Sequence, residues 1–186
     1  TVFYYQRIAQ LITPLNLTIA HTELSTLATN MLSGNKRAQA EEFARVTEHL
    51  AAAGAESVAI TSFGGAFCAD EFEKMSSLPI IDGPAALVEH VRLAGLTKVG
   101  LLGALPVMAS RLYGKLDGVC DVLTPGDDNA AAMQQCHDDY RALAFNGVAT
   151  EAERTRLFGA AQRLCERGAS AVILGGTDLN VVFDGS

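Results

Sequence analysis

The sequence predicts an α/β protein made of two similar half-domains, each a mainly parallel sheet flanked by helices. Three observations carry this. A helix-like stretch stops at Gly54, Gly95 and Gly168, and each time a Val/Ile/Leu-rich strand follows within a few residues. That order marks parallel strands buried between helices. The chain also repeats itself. Gly54-Ala55-Glu56-Ser57-Val58-Ala59-Ile60-Thr61-Ser62-Phe63-Gly64-Gly65 and Gly168-Ala169-Ser170-Ala171-Val172-Ile173-Leu174-Gly175-Gly176-Thr177-Asp178-Leu179 share one grammar: Gly-Ala, a buried strand, then a small polar turn. Finally, 186 residues with 49% hydrophobic and 19% charged side chains suffice for one large or two small cored domains.

Taken in order, Thr1 is a candidate cap for a helix with Phe3, Tyr4, Ile8, Leu11 and Ile12 at helical spacing, ended by Pro14. Leu17 to Leu24 alternates and predicts a strand with His21 and Glu23 near its end. Asn30 to Lys36 is a polar connection, and Ala38 to Ala53 an amphipathic helix closed by Gly54. After the first Val-x-Ile strand, Ala66 to Met75 is helical and Leu78 to Asp82 a short strand. Pro84 opens the next helix. Thr97 to Gly103 is a buried strand, and Pro106 starts a helix carrying Met108, Leu112 and Leu116. Val119 to Leu123 is a strand, and 127–146 and 150–167 are helices. Val172 to Leu174 is the last strand, before a short apolar end at Val181-Val182-Phe183. The expected division is 1–88 for the first half, 89–179 for the second, and 180–186 for a return toward the first.

Composition narrows the partners. A net charge of −7, scarce aromatics and no Trp argue against nucleic acid or an anionic membrane surface. Every apolar run is interrupted below membrane-spanning length. Cys68, Cys120, Cys136 and Cys165 are widely spaced, with no C-x-x-C pair and no His at ligand spacing. No metal site and no disulfide framework are expected, and a reduced, cytoplasmic protein is.

In open parallel sheets ligands lie beyond the carboxyl ends of strands, so both turns are site candidates. Thr61, Ser62, Gly64 and Gly65 could hold a carboxylate or phosphate through hydroxyls and backbone N–H groups, or could simply form a tight turn. No nucleotide motif is present. In the partner turn, Gly176 and Thr177 offer the same donors, and Asp178 is a base, an ammonium acceptor or a cap. Cys68 near a helix start is a candidate nucleophile, opposed by Asp70 and Glu71, with burial the alternative. His21 is a candidate proton carrier or a hydrogen-bonded surface residue beside Glu23. The other three cysteines are expected to be structural, and His49, His90 and His137 to lie on helix surfaces.

The paired turns, together with Tyr4-Tyr5, Leu78-Pro79-Ile80, Gly100-Leu101-Leu102-Gly103, Tyr113 and Thr124-Pro125, resemble the aspartate/glutamate racemase family of cofactor-independent amino-acid racemases. The resemblance implies two half-domains with the site in the cleft between them, no cofactor, a small amino-acid or carboxylate ligand, and a homodimer in many members. It also implies a strand and a Gly-Gly-Met loop ahead of the first helix, and a further helix after Phe183. Members typically place one cysteine after the central strand of each half, as opposed acid and base at the substrate α-carbon. Here those positions read Thr61 and Gly176, and the threonine expected after Gly103 is Ala104. Two expectations follow: an isomerase with altered proton-transfer groups drawn from Thr61, Cys68, Asp178 or His21, or a silent homologue that binds a small carboxylate or a protein partner.

Overall fold

The computed structural model describes residues 2–127 and 129–183. The expected cap at Thr1 and the end of the 180–186 return lie outside the described residues. The chain divides into two compact units, Thr1–Gly83 and Pro84–Ser186.

The first unit is mostly helical. α1 (Val2–Leu11) is followed by α2 (Leu24–Ser33) and α3 (Lys36–Ala52). Gly34 takes a left-handed φ of 68° to end α2, and Asn35 then caps α3 by accepting from the Ala38 N–H. A 3-10 turn, Phe63–Cys68, leads into α4 (Ala69–Met75). The core forms where α3 meets α4: Phe43 and Phe72 pack edge to face with centroids 5.6 Å apart, beside buried Ala40, Val58, Phe67 and Cys68. Such aromatic pairing adds to the area buried.

The second unit carries the sheet. α5 (Gly83–Leu93) precedes β1 (Lys98–Gly103), the central strand, which pairs in parallel with β2 (Asp121–Leu123) and β3 (Ala171–Gly175) in the order β2-β1-β3. Gly100 stands opposite Leu123 and Val172, and Gly103 opposite Gly175. Val99, Leu101 and Leu102 are fully buried, as expected of a central strand covered on both faces. Helix α6 (Leu105–Ala109) is short, whereas α7 (Ala130–Asn146) and α8 (Glu151–Glu166) are long. Thr150 and Glu153 start α8 with a capping box. A Cβ at Gly100 would lie 2.9 Å from Leu164 Cδ1, so α8 packs directly on the bare backbone of β1. Arg156 grips the buried Asp139 carboxylate in a two-pronged contact, Nη2–Oδ1 2.6 Å and Nε–Oδ2 2.9 Å, tying α8 to α7. The chain then passes through a 3-10 turn, Thr177–Leu179, into α9 (Asn180–Phe183).

The α/β class with a parallel sheet flanked by helices is as the sequence predicts. Several elements differ. The strand expected at 17–24 is absent: residues 12–23 form no regular element, Leu17 and Ile19 are exposed, and α2 claims Leu24. Leu24, Leu27 and Met31 recur at helical spacing, and that period wins over the alternation before it. The supposed connection 30–36 is largely the end of α2. The first Val-x-Ile strand and the strand at 78–82 reduce to one parallel bridge, Val58 with Ile80, held by Val58 N–H to the Pro79 carbonyl and Ile81 N–H to the Val58 carbonyl. Two parallel segments alone make few ladder bonds, so the pairing does not extend.

The helix expected to run from Pro106 to Leu116 stops at Ala109. Arg111, Leu112 and Tyr113 have φ values of 49°, 60° and 57°, a left-handed turn completed by Gly114. Each such non-glycine residue costs about 1–2 kcal/mol. Leu112 is wholly buried, its N–H reaches the Val107 carbonyl, and the Ser110 hydroxyl accepts the Tyr113 N–H at 2.9 Å. These contacts offset the strain. Helix α7 begins at Ala130, later than 127, because Asp127 is bonded to Thr124 instead. No helix among the described residues is long and apolar enough to cross a membrane.

Candidate functional site

The first unit holds one of the two turns. Thr61 and Ser62 are half-buried ahead of the 3-10 turn, and the Ser62 carbonyl accepts the Gly65 N–H at 3.0 Å. A Cβ at Gly65 would sit 2.9 Å from Ile60 Cγ2 and 3.1 Å from Phe43 Cζ. Glycine is needed there to admit core side chains, and its N–H is already engaged. At Gly64 a Cβ would approach Ser62 Oγ at 3.3 Å. Cys68 is fully buried with Sγ donating to the Gly65 carbonyl. Burial first, then the Glu71 charge, pushes its thiol up to about 11. It is therefore protonated at neutral pH, not activated by the helix start.

His21 stands apart from this turn's strand end in character. It is 79% exposed, with Nε2 3.6 Å from an equally exposed Glu23 carboxylate. A solvated pair of that kind contributes little. The strand end that motivated the choice of His21 does not exist in the structure.

In the second unit, the carboxyl ends of β1 and β3 come together. Gly103 and Gly175 face each other so closely that a Cβ at Gly175 would lie 2.6 Å from the Leu102 carbonyl oxygen. Beyond them come buried Gly176 and half-buried Thr177 and Asp178. Gly176 has extended backbone, φ −166° and ψ 131°, which any residue can adopt. The need for glycine there is one of space. A Cβ at 176 would fall 2.5 Å from the Tyr140 hydroxyl oxygen and equally close to its ring end. Tyr140, projecting from α7, thus fills the volume that a side chain at 176 would occupy.

Desolvation, the Asp178 charge and then Tyr113 all push the Tyr140 phenol pKa upward. The hydroxyl therefore stays neutral and serves as a hydrogen-bond donor at physiological pH. Nearby, the Leu105 N–H at the start of α6 donates to His137 Nδ1 at 3.1 Å, and burial lowers the His137 pKa. Cys136 is also buried close to the backbone of Gly103, with its thiol pushed up to about 11 chiefly by desolvation.

The structure thus groups Thr61, Ser62, Gly64, Gly65 and Cys68 at one turn, and Gly176, Thr177 and Asp178 at another, leaving His21 with neither. Sequence reasoning missed Tyr140 and misplaced His137, which is half-buried and bonded instead of lying on a helix surface. The available signal was their spacing: residues three apart share one helix face. Among the described residues no three His, Cys, Asp or Glu side chains cluster as metal ligands.

Comparison with solved structures places the fold. The chain is similar to a candidate Asp/Glu racemase from Yersinia pestis, with 21% identity and a TM-score of 0.76, covering 97% of this chain and 82% of the other. It is similar to an aspartate racemase homologue from Pyrococcus horikoshii OT3, with 20% identity, TM-score 0.72, and coverage of 97% and 81%. A third likeness, to Picrophilus torridus aspartate racemase, has 14% identity and TM-score 0.64 over 77% of this chain and 58% of that one. At such identities the likeness is one of fold. The family model described as Asp/Glu/Hydantoin racemase matches residues 1–185, and the chain therefore belongs to the Asp/Glu/Hydantoin racemase family.

Proposed function

We propose that the protein is an isomerase of the racemase type acting on a small amino or dicarboxylic acid, with oxygen groups in place of thiols for proton handling. The observation that carries this reading is the polar end of β3 in the second unit, where Thr177 and Asp178 follow a glycine whose side-chain space the Tyr140 phenol fills. Membership of the racemase family supports it. In this reading each turn by itself offers carboxylate donors, Thr61, Ser62 and Gly64 in the first unit and Gly176 and Thr177 in the second. Asp178 is the acceptor best placed to take up a proton, since Cys68 is protonated and His21 lies in solvent. The reaction draws on side chains alone.

The test is solvent exchange. Incubating the full-length protein with L- and D-aspartate, glutamate and related acids in D2O should remove the α-proton NMR signal of at least one of them. A panel with no exchange overturns the racemase reading.

A second reading has its own observation. Thr61 and Gly176 occupy the two positions where a reactive thiol was expected, and the thiols of Cys68 and Cys136 are both held protonated. This favours a silent homologue that binds a small carboxylate or a partner protein. Calorimetry with the same acids separates the two: heat of binding without exchange supports the silent homologue, and turnover of any acid removes it.

A further inference from the structure

We infer that His137 is a proton-operated latch on the turn that follows β1: its neutral ring holds the Leu105 N–H, and protonating the ring releases the turn and weakens ligand binding at this strand end. The effect on binding rests on the small-acid reading above, whereas the latch itself is a property of the fold without ligand.

β1 ends on Gly103, whose φ of 155° lies in the region that favours glycine, and α6 starts two residues later. Gly103 is held against the end of β3, since a Cβ there would lie 2.8 Å from the Gly175 carbonyl oxygen. Just past this joint, the Leu105 N–H is the first amide of a helix only five residues long, so no carbonyl of that helix can accept from it. Its acceptor comes from 32 positions further along the chain, His137 Nδ1 at 3.1 Å. Protonation puts hydrogen on both ring nitrogens, and a donor then faces a donor, so this contact must open. The turn it holds lies at the carboxyl end of the central strand, beside Gly175 of β3, where ligands of parallel sheets bind.

The surroundings set the direction. Burial acts first and disfavours the charged ring; on α7 itself Asp138 opposes that and Arg141 adds to it. Among the elements packed on α7, α6 has no titratable side chain, β1 has only Lys98 at its opposite end, and the 177–179 turn has only Asp178. From α8, Arg156 is bound to Asp139 and Arg163 bears on Cys136. The ring is therefore neutral and the latch closed at neutral pH, and it opens as pH falls below 6.5.

An NMR titration of the ligand-free, full-length protein across about pH 5 to 7.5 decides the matter. At the upper end the His137 ring nitrogens should show the proton on Nε2 and a free lone pair on Nδ1. The Leu105 amide signal should then move with the ring's own titration, at a midpoint below 6.5. His137→Gln offers a carbonyl acceptor that does not titrate, and it should hold the Leu105 signal at its neutral-pH position throughout. His137→Phe, which has no acceptor, should leave it at the acid position at every pH. Melting temperature reports folding, and if the Phe variant fails to fold the Gln variant still decides. A Leu105 amide that ignores the ring's titration, or that moves equally in His137→Gln, overturns the proposal. Calorimetry with L-aspartate and L-glutamate over the same range reads the consequence. Wild-type affinity should fall about fivefold as the ring protonates, the worth of one hydrogen bond, and His137→Gln should remove that dependence. An affinity that ignores pH, or that falls as steeply in His137→Gln, also overturns the proposal. If neither acid binds, the small-acid reading is what fails, and the amide titration alone passes judgement on the latch.

Discussion

The two strand-and-turn stretches share a sequence pattern but have different surroundings. Around 54–65 the strand is a single bridge, and the turn's second glycine makes room for Phe43 and Ile60. Around 168–179 the strand is a full member of a parallel sheet, and the glycine at 176 makes room for a tyrosine hydroxyl. One glycine serves the core and the other a polar strand end. The difference teaches that a small-residue turn has no fixed role: what enters the vacated volume decides it. It also shows why the first turn's cysteine is inert. Cys68 is part of the packing, and its burial holds the proton on sulfur.

The largest effect expected from testing this contrast is on the first unit's core. Phe72→Ala should cost about 3–5 kcal/mol, the usual penalty for removing a buried ring. Amide hydrogen exchange should show that loss concentrated at Val58 and Ile81, with Leu101 and Leu102 of β1 little changed. Comparable loss of protection in both regions would break the distinction between the units. Next come the glycines. Gly65→Ala should destabilise by about 1–3 kcal/mol through overpacking against Ile60 and Phe43. Gly175→Ala should cost at least as much, because the atom it meets is the Leu102 backbone carbonyl, which cannot swing aside. Urea unfolding of the two variants checks the order, and a harmless Gly175→Ala would refute the close approach.

The smallest effect is one of pH. His137 has a pKa below its ordinary value of 6.5 because burial disfavours the charged ring. Between that lowered value and 6.5 the unfolded chain binds more protons than the folded one, so stability rises with pH through this window. The contribution is complete above about 6.5 and is lost as pH falls through the folded value. Protonation would also remove the acceptor for the Leu105 N–H. His137→Gln should flatten the urea midpoint against pH between about 5 and 7 relative to wild type. An unchanged profile would count against the buried neutral imidazole.

Much of the architecture was legible from local rules. Gly54, Gly95 and Gly168 all adopt positive φ at helix ends, and the strands after Gly95 and Gly168 pair in parallel, the first buried from Val99 onward and the second buried only at Ile173 and Gly175. Thr150 with Glu153 forms the cap that its spacing foretells. The failures occurred where a local pattern depended on distant partners. Leu17 to Leu24 alternates like a strand, yet no ladder reaches it. Met108, Leu112 and Leu116 share a helical period, but the chain turns left-handed at Arg111 and still buries all three.

By itself, then, the sequence determined the α/β class, the glycine-closed helices, the buried central strand β1 and the polar turn at Thr177 and Asp178, because these follow from backbone sterics and hydrophobic period. Only the tertiary structure decided that Tyr140, 36 positions before Gly176 in the chain, fills the space beside it. That choice depends on where α7 packs against the end of β3, and no rule confined to neighbouring residues contains it. Gly176 reads as an empty position in the sequence, and in the fold it is occupied by a phenol.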